Sequence, residues 1–115
     1  MIRGFTLLTG LLLALNALAH TNLTASVPAA DASVREPVAE IVLEFAGDVR
    51  LTAVTLTDAS GAEKMLGALP TDAAERFVIA VEESLPPGEY VITWRAVGAD
   101  THVVSGDIPF TASAK

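Results

Sequence analysis

The fold is decided by residues 86–111, which read Pro-Pro-Gly-Glu-Tyr-Val-Ile-Thr-Trp-Arg-Ala-Val-Gly-Ala-Asp-Thr-His-Val-Val-Ser-Gly-Asp-Ile-Pro-Phe-Thr. The opening Pro-Pro-Gly is a turn signal, and two strand-like stretches follow it, at 89–97 and 102–111. A short Gly-Ala-Asp segment, residues 98–100, joins them. We therefore predict that this part of the chain forms two long strands of one hairpin.

The sequence between residues 20 and 85 repeats this pattern of short apolar-alternating runs separated by turn residues. No stretch has helical periodicity of useful length, so the pattern is typical of an all-β protein. The economical architecture is an immunoglobulin-like sandwich or barrel of about seven strands. The other predicted strands cover residues 23–27, 40–45, 51–57 and 76–81.

Two aromatic residues favour the immunoglobulin-like arrangement. Tyr90 stands at the start of a late strand, directly after a turn, as in the tyrosine corner of such sandwiches, where the hydroxyl bonds to a nearby backbone group. Trp94 follows four residues later and therefore shares the face of Tyr90. We predict that Trp94 belongs to the core; the alternative is a platform for a ligand.

The first 19 residues have the features of a secretory signal peptide. Arg3 supplies the positive charge, residues 5–15 are almost wholly apolar, and residues 17–19 (Ala-Leu-Ala) match a small-x-small cleavage site. An uncleaved N-terminal anchor is the alternative, although the apolar stretch is short for a membrane span. We expect cleavage after Ala19, which leaves one exported domain, residues 20–115.

Composition excludes several classes of function. Cleavage would remove one charged residue, Arg3, and leave 6 basic and 14 acidic residues, a net charge of −8. Nucleic-acid binding is not expected of such a chain, because phosphate contacts need clustered Lys and Arg. The chain has no cysteine, which excludes disulfides, thiolate zinc sites, iron–sulfur clusters and blue-copper centres.

His20 is a candidate metal ligand because of where cleavage is predicted. A free α-amine has a pKa near 8, so a divalent metal can displace its proton at modest cost. The amine nitrogen and the ring Nδ1 of one terminal histidine can then chelate a single metal ion. The chelate would be lost if cleavage moved by one residue.

Asp100 and His102 are the second part of this candidate site. In an extended segment, residues i and i+2 point to one face, so the carboxylate and the imidazole would converge while Thr101 faces away. Together with His20 they would supply three nitrogens and one oxygen, a set that favours Cu(II). Two simpler explanations stay open: an accidental terminal histidine, and an Asp-Thr-His turn that the aspartate merely caps.

Three stretches of the sequence resemble the CopC-like family of periplasmic copper-binding (copper resistance) proteins. The first is His20-Thr-Asn-Leu-Thr-Ala-Ser-Val-Pro-Ala-Ala-Asp31, with histidine first and a Ser-x-Pro-Ala loop. The second is Ile41-Val-Leu-Glu-Phe45 followed by Val49-Arg-Leu51. The third runs from Leu85 to His102, with Trp-Arg, Asp-x-His and the trailing Gly106 and Phe110. The resemblance covers the whole predicted mature chain.

This resemblance implies a Greek-key β-sandwich or barrel that carries copper in the periplasm. It implies a Cu(II) site built from the N-terminal histidine and the Asp-x-His motif, which fall on His20, Asp100 and His102 here. It also implies a partner, since family members commonly act beside an inner-membrane protein that imports copper. We expect a monomer.

Methionine content separates this chain from some members of that family. Those members have a second, Cu(I) site in a Met-rich loop, whereas the predicted mature chain has one methionine, Met65. Cu(I) prefers soft thioether ligands, and one is not enough. We predict a single Cu(II) site and no Cu(I) site.

Two other functions remain as alternatives. The terminal-histidine chelate is similar to that of copper-dependent polysaccharide monooxygenases, but Asp100 would crowd the open coordination position that such an enzyme needs. We therefore expect a binding protein and not an enzyme. The third possibility is a metal-free interaction module, which predicts no tight uptake of copper.

Overall fold

The computed structural model describes residues 23–113, and that part of the chain folds into six β-strands. The predicted signal peptide and His20 lie outside the described residues. No helix long and apolar enough to cross a membrane occurs between residues 23 and 113. The all-β prediction is confirmed. The strands are β1 (Leu23–Val27), β2 (Ala32–Val34), β3 (Glu40–Asp58), β4 (Ala74–Ala80), β5 (Gly88–Gly98) and β6 (Val103–Ala112).

The longest strand, β3, joins the two layers of the fold. Its first half pairs antiparallel with β1 and with β4, and its second half, from Val49 onward, pairs antiparallel with β5. The hairpin of β5 and β6 continues this second layer, and β2 lies parallel beside β6. The strand order β1-β3-β5-β6-β2, with β4 on β3, makes one curled sheet that folds over as a Greek-key sandwich.

Two local features differ from the sequence-based prediction. The strands predicted at 40–45 and 51–57 are one continuous β3, because the exposed residues 46–48 break the apolar alternation while the backbone stays extended. The pairing of β3 with β4 shifts register between Glu44 and Val49. In addition, the short strand β2 lies outside every predicted strand, so the described residues contain six strands.

The core is wholly apolar in the described part of the chain, where no polar or charged residue is buried. Ile41, Leu43 and Phe45 point inward from the first layer of β3 and are at most 4% exposed. The Phe45 ring meets Trp94 of the second layer edge-on at a centroid distance of 5.3 Å and Phe77 of β4 at 5.9 Å. The Asp, Glu, Lys, Arg and His side chains among residues 23–113 therefore lie at or near the surface.

The two aromatic residues of β5 occupy the positions that the sequence predicted. The Tyr90 hydroxyl donates a hydrogen bond to the Pro86 carbonyl at 2.5 Å, as a tyrosine corner requires, and its ring stacks on Phe110 at 5.6 Å. Trp94 is 5% exposed and packs against Gly106 of β6. A Cβ at position 106 would lie 3.0 Å from the indole, which is closer than most real Cβ contacts, so any larger residue would require the buried ring to shift.

Candidate metal site

The loop between β5 and β6 is a tight turn at one end of the molecule. The Gly98 N–H donates to the His102 carbonyl at 3.0 Å, and the Thr101 N–H donates to the Gly98 carbonyl at 2.9 Å. Thr101 closes the turn with a φ of 68°. This left-handed conformation is uncommon for a β-branched residue and costs on the order of 1–3 kcal/mol. The turn that brings residues 100 and 102 together therefore contains a strained backbone conformation at Thr101.

Asp100 contacts His102 through both carboxylate oxygens. Its Oδ1 accepts a hydrogen bond from the His102 backbone N–H at 3.1 Å, and its Oδ2 lies 2.8 Å from the His102 Nδ1. The two side chains converge as the sequence predicted, but the reason given there is wrong. The segment is a turn rather than an extended strand, and the left-handed Thr101 produces the convergence. The same carboxylate also caps the turn, so the simpler explanation from the sequence is compatible with the predicted ligand pair.

The contact with Asp100 at Nδ1 leaves the other ring nitrogen of His102, Nε2, available to a ligand. Hydrogen bonding to the His102 ring lowers the pKa of Asp100, and hydrogen bonding to the Asp100 carboxylate raises the pKa of His102. A neutral imidazole that donates from Nδ1 to a carboxylate keeps its free lone pair at Nε2. The His102 and Asp100 side chains are 83% and 69% exposed, so Nε2 is open to solvent.

A groove separates this turn from the middle of β3. Its β3 wall consists of Ala46, Gly47, Asp48 and Val49, and its other wall is the hairpin around Asp100 and His102. Asp48 is exposed and lines this groove together with Asp100 and His102, so the groove has three titratable side chains. Sequence reasoning missed Asp48, because its place opposite the hairpin depends on the continuation of β3 past the predicted strand end at residue 45.

The described residues supply only part of a metal site. Among residues 23–113, no three His, Cys, Asp or Glu side chains are grouped so that they could hold a metal ion. Asp100 and His102 lie together, whereas His20, the third predicted ligand, lies outside the described residues. The chemistry of the pair, one carboxylate and one imidazole with Nε2 free, suits a divalent metal with mixed nitrogen and oxygen ligands.

The described residues form a β-sandwich with an aspartate–histidine pair at a hairpin tip, and comparison with known proteins assigns the family. The family model for the CopC domain matches residues 23–113, so this chain belongs to the CopC family. It is 36% identical to copper resistance protein C of Escherichia coli over 109 residues, which cover 85% of each chain. It is 31% identical to copper resistance protein C of Pseudomonas syringae pv. tomato, over 88% of this chain and 86% of that protein.

Solved structures agree with this assignment. The crystal structure of PcoC, a methionine-rich copper resistance protein from Escherichia coli, superposes with a TM-score of 0.67 at 33% identity, over 82% of this chain and 99% of that one. CopC from Methylosinus trichosporium OB3b superposes with a TM-score of 0.69 at 23% identity, over 83% and 95% of the two chains. The second likeness supports the fold alone.

Proposed function

We propose that the processed chain, residues 20–115, is a periplasmic copper-binding protein with a single Cu(II) site. Its ligands are the α-amine and imidazole of His20, the His102 imidazole and the Asp100 carboxylate, which has to leave the His102 Nδ1 in order to bind the same metal ion. The observation that carries the proposal is the Asp100–His102 pair, which places a carboxylate and an imidazole together at the edge of a groove. Membership of a family whose curated relatives are named copper resistance proteins supports copper as the metal.

The topology supports His20 as the missing ligand. Leu23, the first described residue, lies opposite Phe45 on β3, and residues 46–49 directly after Phe45 form one wall of the groove. His20 is separated from Leu23 by Thr21 and Asn22. An extended chain spans at most about 3.3–3.6 Å per residue, so this segment reaches about 10 Å from Leu23. That reach is sufficient to bring the terminal amine to the groove.

The ligand set determines how copper would be held and released. Two imidazole nitrogens, an amine nitrogen and a carboxylate oxygen suit Cu(II) in tetragonal geometry, whereas Cu(I) prefers sulfur. We therefore expect reduction to release the ion. The acidic surface raises the local concentration of cations and assists capture. Delivery to an inner-membrane copper transporter, or simple sequestration, would follow.

The proposal includes the absence of a Cu(I) site. PcoC is described as methionine rich, whereas this chain has two methionines, and only Met65 follows the predicted cleavage site. The Met65 side chain is exposed, and one thioether does not make a Cu(I) site. We also propose that the protein is monomeric and does not catalyse a reaction.

One experiment tests the site most directly. Chains 20–115 and 19–115 are prepared, titrated with Cu(II) against a competing chelator, and compared by electron paramagnetic resonance. The two chains differ only in Ala19, which converts the His20 amine into an amide and replaces the His20 chelate with one that uses the Ala19 amine, so the copper spectrum should change. His20→Ala and His102→Ala variants of 20–115 should each alter the spectrum and weaken binding.

Each competing function predicts a different result. Equal affinity and identical spectra for 19–115 and 20–115 would show that the His20 amine is not a ligand. Failure of 20–115 to take up copper would favour the metal-free interaction module. Consumption of oxygen by the reduced copper form in the presence of polysaccharide would favour the monooxygenase-like enzyme.

A further inference from the structure

We propose that the outer face of the β3–β5–β6 sheet, where it borders the hairpin turn, docks a partner protein through an acidic segment that carries apolar side chains. This surface is called the arginine face below and consists of Arg50, Arg95, Val97, Val103 and Ser105. Docking at this face goes beyond the proposed copper site and depends on none of its ligands.

The register of the three strands places these side chains on one surface. Residues directly opposite each other in an antiparallel pair share a face of the sheet. Val97 of β5 lies between Arg50 of β3 and Val103 of β6. Arg95, two residues before Val97, lies opposite Ser105. The residues that alternate with Arg95 and Val97 on β5 are buried in the core, so the arginine face points to solvent.

The arginine face combines apolar and cationic surface. Val103 is 61% exposed and is one of four large hydrophobic residues that are exposed in the described part of the chain. Val97 beside it is half-buried, and Arg50 and Arg95 are exposed. Exposed apolar surface with a polar rim is typical of protein contact sites, and arginine is enriched in such sites. The composition of the face therefore fits a binding surface better than a plain solvated one.

The charges of the two arginines are not compensated within the described part of the chain. Neither Arg50 nor Arg95 has a carboxylate oxygen within 4.0 Å among residues 23–113, whereas Lys64 and Arg76 each have one. The Arg50 guanidinium donates a hydrogen bond to the Thr71 carbonyl at 2.8 Å instead. A guanidinium binds a carboxylate through two parallel hydrogen bonds, so each arginine offers a site for an acidic side chain.

The acidity of the whole chain selects among possible occupants. The sequence has 14 acidic and 7 basic residues, so an anionic lipid surface or a second copy of this chain would be repelled by the protein as a whole. A short acidic segment meets only the arginine face and avoids most of that repulsion. Charge complementarity therefore favours a segment of a partner protein, and the two valines favour apolar side chains beside its carboxylates.

A shallow depression continues the arginine face away from the hairpin turn. It is lined by Arg95 and Ser105 together with Thr55, Thr93 and Asp107. The Thr93 hydroxyl donates a hydrogen bond to the Asp107 carboxylate at 3.0 Å, so this carboxylate is bonded within the sheet. The hydroxyl groups of the lining can donate further hydrogen bonds to a carboxylate held by Arg95.

Backbone amide chemical shifts of copper-free chain 20–115 test the docking. The probe is the blocked peptide Ac-Gly-Leu-Asp-Leu-Asp-Gly-NH2, and the control peptide carries lysine in place of both aspartates. We expect saturable shifts at Arg95, Val97 and Val103 with the acidic peptide only, and weaker binding as the ionic strength rises. Equal responses to the two peptides, shifts confined to other parts of the chain, or no saturable shifts would each overturn the proposal.

Two pairs of variants locate the binding energy on the arginine face. Arg95→Gln should weaken binding of the acidic peptide about fivefold, the upper end for an exposed charge pair. Its control is Arg35→Gln, which removes another exposed arginine. Val103→Thr should weaken binding about threefold through loss of apolar contact, with Val78→Thr, at a 40% exposed valine of β4, as the control. If a control substitution weakens binding as much as its partner, the arginine face is not the docking surface.

Other occupants of the arginine face would give different results, and each would overturn the proposal. Shifts of Val97 and Val103 that grow with protein concentration in the absence of peptide would show that a second copy covers the face. Binding to vesicles of equal parts phosphatidylcholine and phosphatidylglycerol that is lost in Arg95→Gln, without a response to the peptide, would show a lipid-binding surface.

The docking face and the copper site fail independently. Arg95→Gln should bind Cu(II) as tightly as the parent chain, because Arg95 is not among the proposed ligands. If the acidic peptide binds but chain 20–115 takes up no copper, the docking face stands and the proposed function is wrong. If copper binds and the peptide does not, the copper site stands and the docking face is wrong.

Discussion

Replacement of Asp100 probes the most informative contact of the candidate site. In the parent chain the Asp100 Oδ2 lies 2.8 Å from the His102 Nδ1, and the Oδ1 accepts the His102 backbone N–H. Asp100→Ala removes both acceptors. Asp100→Asn keeps one neutral acceptor oxygen but removes the charge. Both variants should leave the core intact, because neither side chain of the pair is buried.

The expected loss of Cu(II) affinity follows from the role of the Asp100 carboxylate. Loss of a group that orients a histidine ligand typically costs 10–100-fold in metal affinity. The Asp100 and His102 side chains are 69% and 83% exposed, so solvent weakens their contact. The loss of metal affinity in Asp100→Asn should therefore lie at the lower end of this range. We expect about a tenfold loss for Asp100→Asn and a loss approaching 100-fold for Asp100→Ala, where direct ligation by the carboxylate is also removed.

The assay is competition titration of chain 20–115 with Cu(II) and a chromophoric chelator, near neutral pH. Asp107→Asn is the control, since it removes an exposed, hydrogen-bonded aspartate on the same strand pair, away from the turn. It should change affinity less than twofold, within the range of a distant surface charge. Affinities of both Asp100 variants within twofold of the parent would refute the reasoning, because neither orientation nor ligation would then depend on the carboxylate.

Three further predictions concern pH and stability. The lowered pKa of Asp100 stabilises the turn above the ordinary value of 3.8, and the raised pKa of His102 does so below the ordinary value of 6.5. The protection factors of the turn amides, which correct for the intrinsic pH dependence of exchange, should therefore be highest between those values. Tyr90→Phe should lower the free energy of unfolding by about 1 kcal/mol in urea denaturation, through loss of the corner hydrogen bond. Gly106→Ala should lower it by about 1–3 kcal/mol in the same assay, because the new methyl group collides with the Trp94 ring.

Each of these predictions has its own control. The maximum of turn protection between the two pKa values should disappear in Asp100→Ala. If protection of the turn has the same pH dependence with and without the carboxylate, the pH prediction is wrong. A Tyr90→Phe variant as stable as the parent would show that the corner bond contributes nothing net. Gly47→Ala is the reference for Gly106→Ala, since its Cβ meets no atom and should cost less than about 0.5 kcal/mol. Equal costs at the two glycines would remove the steric explanation.

The sequence predicted much of the fold because strand signals are local. Alternation over 89–97 and 102–111 gave the hairpin to within a residue or two, and the Pro-Pro-Gly turn before Tyr90 gave the corner. The strand boundary near residue 45 was wrong, because the exposed residues 46–48 look like a loop while their backbone remains extended. The spacing of Asp100 and His102 predicted that the two side chains would lie together. It did not predict the turn that brings them together.

The sequence by itself determined the all-β class, most of the strands, the absence of thiolate ligands and the identity of the candidate ligand residues. These follow from alternation, composition and residue chemistry, none of which depends on distant contacts. Only the tertiary structure decided that β3 passes from the layer of β1 to the layer of β5, because strand pairing is a long-range choice. That passage sets Asp48 across a groove from Asp100 and His102 and brings the start of β1 to its edge.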